Sequence, residues 1–163
     1  MSWQEIKKTN LTNIDILCEF LELSIENRKK IITDSKFPLN LPLRLAKKIE
    51  KNRLDDPLFR QFVPLKDEEE QKEGFHVDPV AECEFKQGPN LLQKYAGRAL
   101  LLCTKACAMH CRYCFRRHAV FQGDDLQFQK ELQVIAEETS LTEVVLSGGD
   151  PLSLSNRKLR SRR

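Results

Sequence analysis

Three cysteines fall within eight residues, in the run Cys107-Ala-Met-His-Cys111-Arg-Tyr-Cys114. Thiolates this close in sequence can converge on one inorganic centre, and their number carries information. A four-iron cluster held by three protein sulfurs keeps one iron free for a small molecule, as catalytic zinc keeps one open position. A closed electron-transfer cluster needs a fourth ligand. Two other readings stand beside the open cluster. One is a zinc site of Cys107, Cys111, Cys114 and His118. The other is three small buried hydrophobes, which cysteine often supplies, although arginine and histidine in the same loop are unlike a core. Cys18 and Cys83 stand alone and read as structural, and Cys103 lies in an apolar run and reads as buried.

The flanking pattern is that of an α/β chain. Ala99 to Cys103 is a continuous apolar run, expected of a strand buried on both faces of a parallel sheet. A helix is predicted over Asp124 to Thr139, with Phe128, Leu132, Ile135 and Ala136 at i, i+4, i+7 and i+8, and with Asp124 and Gln127 imitating a capping box. Glu143 to Ser147 reads as a second buried strand, ending in Gly148-Gly149-Asp150-Pro151. Strand, helix and strand make a βαβ unit with a right-handed crossover. Both motifs then follow C-terminal strand ends, where open α/β sheets and barrels place ligands. Taken alone, the Gly-Gly-Asp turn is as readily an ordinary strand end as a ligand site. Its glycines allow close backbone approach, and its carboxylate suits an ammonium group.

The first third reads as short helices. Thr12 or Asn13 caps one, with Ile14, Leu17, Phe20 and Leu21 on one face. Ser24 caps a second, carrying Ile25 and Ile31-Ile32. Leu45, Ala46 and Ile49 form a weaker face after Pro42, a residue suited to a first turn. The acidic block Asp67–Glu70 opens a polar loop, and the chain stays irregular to about Asn90. The expected organisation is an N-terminal helical and irregular arm over 1–90, a second segment bearing the cysteine loop over 91–156, and a basic tail over 157–163.

Composition narrows the class. The 163 residues suffice for one domain or a small domain and an arm, and 40% hydrophobic content supports a core. Net charge is +3, but the last seven residues hold five basic side chains, and without them the body stands at −2. Charge therefore gives no reason to propose nucleic acid as a partner. The tail reads as a solvated end, with phosphate contact the weaker alternative. The longest apolar run, Ala99 to Cys103, is far short of a membrane span, and Met1-Ser-Trp-Gln-Glu lacks a signal pattern. The expected location is cytoplasmic, with cysteines reduced or metal-bound and no membrane partner.

These residues carry a resemblance. Cys-x₃-Cys-x₂-Cys, with Tyr113 before the last cysteine, resembles the signature of radical S-adenosylmethionine (SAM) enzymes. Lys94-Tyr95-Ala-Gly-Arg98, Phe115-Arg116-Arg117-His118 and Ser147-Gly-Gly-Asp150-Pro-Leu152 together resemble the lysine 2,3-aminomutase family, as do Asp55-Asp56-Pro57-Leu58, Gln61-Phe-Val-Pro64 and Asp78-Pro79. The likeness covers about residues 3–156 and is greatest to the branch that supplies β-lysine for modification of elongation factor P.

The resemblance implies an N-terminal helical arm followed by the first βα units of a radical SAM (β/α) barrel, incomplete over these residues. It implies an isomerase that moves the α-amino group of L-lysine to the β-carbon, with a [4Fe–4S] cluster, SAM and pyridoxal 5′-phosphate as cofactors. Cys107, Cys111 and Cys114 would hold the cluster, and an external one-electron reductant would charge it. Ser147, Gly148, Gly149 and Asp150 would bind SAM, with Gly148–Asp150 taking its amino group. Arg116 would grip the substrate carboxylate with its planar fork, while Arg117 would face solvent or a structural partner. Lys94, Tyr95 and Arg98 would surround pyridoxal phosphate, although surface charge explains Lys94 and Arg98 nearly as well. A homo-oligomer is compatible with this reading.

The resemblance also sets limits. A full (β/α)₈ barrel takes about 250 residues, whereas Arg98 to Arg163 accommodates about two strands and their helices. The family's pyridoxal lysine and the acidic residues for the substrate ε-amino group belong to later barrel segments, so no lysine here is assigned that role. The run from Asn156 onward, Arg-Lys-Leu-Arg-Ser-Arg-Arg, is expected to depart from the family pattern, as a truncated or frameshifted reading frame would. The expectation is a chain that is inactive and poorly stable alone. The competing class is a small non-catalytic zinc or iron–sulfur protein.

Overall fold

Caps and prolines recur every few residues in the N-terminal region, and they cut it into short helices. The computed structural model describes residues 3–118 and 128–156. The predicted capping pair Asp124 and Gln127 and the basic tail lie outside these described residues. The chain divides into two compact units. The first takes the residues up to Phe75 together with Ala108–Arg117, and the second takes His76–Cys107 with the residues from His118 onward.

In the first unit, α1 spans Trp3–Lys7, α2 Ile14–Phe20, α3 Ile25–Arg28, α4 Leu43–Ala46 and α5 Pro57–Phe62. Asn13 caps α2 by accepting from the Ile16 amide at 3.0 Å, and Ser24 caps α3 by accepting from the Asn27 amide at 3.2 Å. Asp56 accepts from the amides of Leu58 and Phe59, with Pro57 in the first turn of α5. Helices this short are marginal in water, so tertiary packing holds them. Leu17, Leu21, Leu41, Phe59 and Phe62 are fully buried in one cluster with Ala46 and Ile49.

Three details differ from expectation. Ile25 is 77% exposed, because α3 is a single turn and burial passes to Ile31, which bridges Leu65. Pro42 stands at the cap of α4 rather than inside its first turn. The acidic block is not a plain solvated loop, since Lys66–Glu69 forms a 3₁₀ turn.

The second unit holds a three-stranded sheet in the order β1-β2-β3, with β1 over Leu91–Tyr95, β2 over Arg98–Thr104 and β3 over Glu143–Gly148. The hairpin β1–β2 is an addition to the sequence reading, and it turns at Gly97, whose φ of +72° favours glycine. β2 and β3 pair in parallel, Ala99 beside Val144 and Leu101 beside Leu146. α6, over Gln129–Glu137, connects them, which is the expected βαβ order.

The predicted helix face is partly right. Phe128 is buried but sits at the cap position with φ +27°, Leu132 and Ile135 pack on the core, and Ala136 is exposed. Glu131 is buried instead, where its Oε1 accepts from the Asn90 amide at 3.1 Å and from the Asn90 side chain. α6 contributes to a cluster with Leu91, Ala99, Leu101 and Cys103. That cover runs out along the sheet, so β3 is not the buried strand the sequence predicts: Val144 is 37% and Leu146 39% exposed. The structure is thus mixed α/β with a small sheet. No helix among the described residues is long and apolar enough to cross a membrane.

Candidate functional site

The cysteine loop begins where β2 ends. Cys107, Cys111 and Cys114 are all partly exposed and none forms a disulfide. The Cys114 amide donates to the Cys111 carbonyl at 3.0 Å, which closes a tight turn, and the Arg117 amide donates to the Cys114 carbonyl at 3.1 Å. Cys111 and Cys114 belong to the first unit and Cys107 to the second. Among the described residues, no group of three or more His, Cys, Asp or Glu side chains is gathered as a metal site.

The residues between the sulfurs are held closely within the first unit. Asn10 Nδ2 donates to the Ala108 carbonyl at 2.8 Å and to Asn40 Oδ1 at 2.7 Å. The His110 amide donates to the Asn40 carbonyl at 3.0 Å. The His110 ring stacks on Phe37 at 4.8 Å, and its Nδ1 lies 2.9 Å from the Pro38 carbonyl. Arg112, which the sequence reading does not single out, is buried. Its amide donates to the Gln61 carbonyl at 2.7 Å. Its guanidinium donates from Nε and Nη2 to Glu68, the latter at 2.6 Å to Oε2, and from Nη1 to the Phe37 carbonyl at 2.6 Å. Arg117 Nη1 reaches the same Glu68 Oε2 at 2.6 Å, so its partner is structural rather than solvent. Burial pushes the Glu68 carboxyl up, but the hydrogen bonds and charge of Arg112, with the charge of Arg117, outweigh it and hold the group below the usual carboxylate range.

The Gly-Gly-Asp turn is stitched to the segment entering the cysteine loop. The Gly149 amide donates to the Thr104 carbonyl at 2.6 Å and the Asp150 amide to the Ala106 carbonyl at 2.8 Å. A Cβ at Gly148, where φ is +112°, would stand 2.4 Å from the Thr104 carbonyl oxygen, and one at Gly149 would stand 2.4 Å from that of Ala106. Neither approach is sterically possible. The backbone alone therefore requires both glycines, independently of any ligand. Asp150 Oδ1 accepts from the Leu152 amide at 3.0 Å and caps the turn Pro151–Ser153. Ser147 lies beside Leu102 on β3.

The three residues expected around pyridoxal phosphate do come together. Lys94, Tyr95 and Arg98 line a pocket of ≈ 360 Å³ with Val80, Phe85 and Val145. Each already has surroundings of its own. Lys94 Nζ donates to the Val80 carbonyl at 2.8 Å and lies over the Phe85 ring. Arg98 pairs with Glu143, and Tyr95 is mostly exposed. Arg116 is partly exposed, its guanidinium 4.8 Å from the Phe115 ring centroid.

A family model described as a 4Fe-4S single cluster domain matches residues 96–161, which include all three loop cysteines. The chain is 36% identical over 162 residues to the L-lysine 2,3-aminomutase of Haemophilus influenzae, covering 97% of this chain and 48% of that protein. It is 38% identical over 154 residues to the Escherichia coli protein of the same name, covering 91% and 45%. The chain is similar to the L-lysine 2,3-aminomutases over nearly its whole length. The Fusobacterium nucleatum aminomutase matches at 31% identity over 98% of this chain and 38% of its own length. The chain spans about half the length of the first two aminomutases, at 48% and 45%.

The donor chemistry fits the cluster that the family model describes. Three thiols free of disulfides and partly open to solvent are the soft ligands iron–sulfur centres take. The tight turn that joins Cys111 and Cys114 keeps two of them on one short loop.

Proposed function

We propose that these residues form the cluster- and SAM-binding part of a radical SAM L-lysine 2,3-aminomutase, working in the cytoplasm. The observation that carries the reading is the run Cys107, Cys111 and Cys114 inside the segment matched by the iron–sulfur domain, in a chain aligned along nearly its whole length with named aminomutases. The described α/β architecture is compatible with the opening of a radical SAM (β/α) barrel, in which β2, α6 and β3 would be barrel elements preceded by the arm 1–90, with 91–156 as the barrel start and 157–163 as a tail.

Cys107, Cys111 and Cys114 would ligate the cluster as thiolates and leave one iron for SAM. When bound, the cluster supplies the electron that splits SAM into a reactive radical, and pyridoxal phosphate carries the amino group that migrates. The chain's own residues bind and orient. Gly148, Gly149 and Asp150, with Ser147 just before them, would receive the methionine end of SAM. The backbone seam at Thr104–Ala106 fixes this turn next to the strand that leads into Cys107. Arg116 would hold the lysine carboxylate. The pocket at Lys94, Tyr95 and Arg98 would accept the phosphate end of pyridoxal phosphate, with Lys94 and Arg98 exchanging their present partners for it. An external one-electron donor would supply the reducing equivalent, and the product would be β-lysine, on the elongation factor P branch.

Anaerobic reconstitution tests the reading. The 163-residue chain, incubated with ferrous iron and sulfide, is expected to turn brown, to bind about four irons, and to change its electron paramagnetic resonance spectrum on adding SAM. A colourless protein that binds zinc through the same cysteines, or a cluster indifferent to SAM, would overturn it in favour of a small non-catalytic metal protein.

A further inference from the structure

One carboxylate ties together the two arginines that bracket the third loop cysteine. Arg112 precedes Cys114 by two residues and Arg117 follows it by three, and both donate to Glu68 Oε2 at 2.6 Å. We propose that Glu68, together with Arg112, is a positioning pair that sets the Cys111–Cys114 turn for cluster binding. This rests on the cluster reading above and adds to it a role for the arm.

The chemistry favours a positioning role over a chance surface pair. The Arg112 side chain is only 6% exposed, and a buried guanidinium is costly unless its donors are filled. Here they are filled by Glu68 in a forked contact and by the Phe37 carbonyl, and the planar fork fixes direction as well as charge. The Arg112 main chain is fixed separately through Gln61. With backbone and side chain both held, residue 112 has little freedom to rotate, and the hydrogen bond from the Cys114 amide to the Cys111 carbonyl wraps the turn around it. The directions in which the two flanking sulfurs leave the backbone are thereby set by residues 35–68. Glu68 touches no sulfur. It acts one step away, as hydrogen-bonding partners of metal ligands commonly do.

The test compares reconstituted wild-type chain with Glu68→Gln, and with Arg53→Ala, which removes two exposed ion pairs, to Glu50 and Asp55, in the same unit. Far-ultraviolet circular dichroism first fixes a temperature at which all three are equally folded. At that temperature the cluster of Glu68→Gln is expected to be lost to an iron chelator about tenfold faster or more, and its reduced spectrum is expected to broaden, while Arg53→Ala behaves as wild type. If Glu68→Gln does not fold, Arg112→Lys, which keeps the charge but loses the forked contact with Glu68, carries the same expectation. Glu68→Asp is expected to restore part of the resistance. Wild-type chelator resistance and spectrum in a folded Glu68→Gln or Arg112→Lys would overturn the proposal. A wild-type chain that takes up no cluster would instead overturn the cluster reading beneath it.

Discussion

At positions 148 and 149 one added carbon decides whether the turn closes. The clash distance of 2.4 Å is to main-chain oxygen in both cases, so no side-chain rotation relieves it. Gly149→Ala is expected to cost about 1–3 kcal/mol, read as a lower urea midpoint. Glu68 gives a pH-dependent counterpart. Its folded pKa lies below its unfolded value, so the unfolded chain binds more protons on acidification. The stabilisation is complete above the ordinary glutamate range near about 4.3 and is lost as pH falls through the folded pKa. Urea midpoints of wild type and Glu68→Gln are expected to differ at about pH 7, and the gap is expected to narrow as pH falls below the ordinary glutamate range. A gap that does not narrow on acidification would contradict this. The cysteine spacing and the Gly-Gly-Asp string are legible in sequence because their meaning is local. The Glu68–Arg112 contact is not, since the partners lie 44 residues apart and no periodicity links them.

Among the elements, caps were the most legible signal and burial the least. Asn13 and Ser24 cap the helices their chemistry predicts, because a short polar side chain before an apolar face satisfies an orphan amide wherever the helix later packs. Asn13→Ala is expected to lower stability by about 1 kcal/mol, measurable as a reduced urea midpoint with an unchanged slope. Strand burial is set from outside the strand. Val-Val-Leu at 144–146 reads as apolar in any context, yet Val144 and Leu146 are partly open because the helical cover thins along the sheet. The hairpin partner β1 is hard to read because Leu91–Tyr95 carries only two consecutive apolar residues before Gln93 and Lys94.

For the whole molecule, the exposed apolar residues of the second unit matter most. β3 is an edge strand of the described sheet, and it shows Val144 and Leu146 to solvent. Such edges pair with other chains unless charge prevents it. Concentration-dependent self-association is therefore expected in light scattering, and Leu146→Lys is expected to reduce it with little change in melting temperature. Unaltered scattering by that variant would place the sticky surface elsewhere. The two-unit division has no counterpart in the chain order, because residues 108–117 return to the company of residues 1–75. The grip on the loop runs through Ala108, His110, Arg112 and Arg117, and its first contact joins positions 98 residues apart. The interval between sulfurs is thus written twice, once in the loop and once in its clasp. Inserting a single residue after Ala108 would throw every later contact out of step, and a lineage that lengthened this loop would have to rewrite distant codons to match.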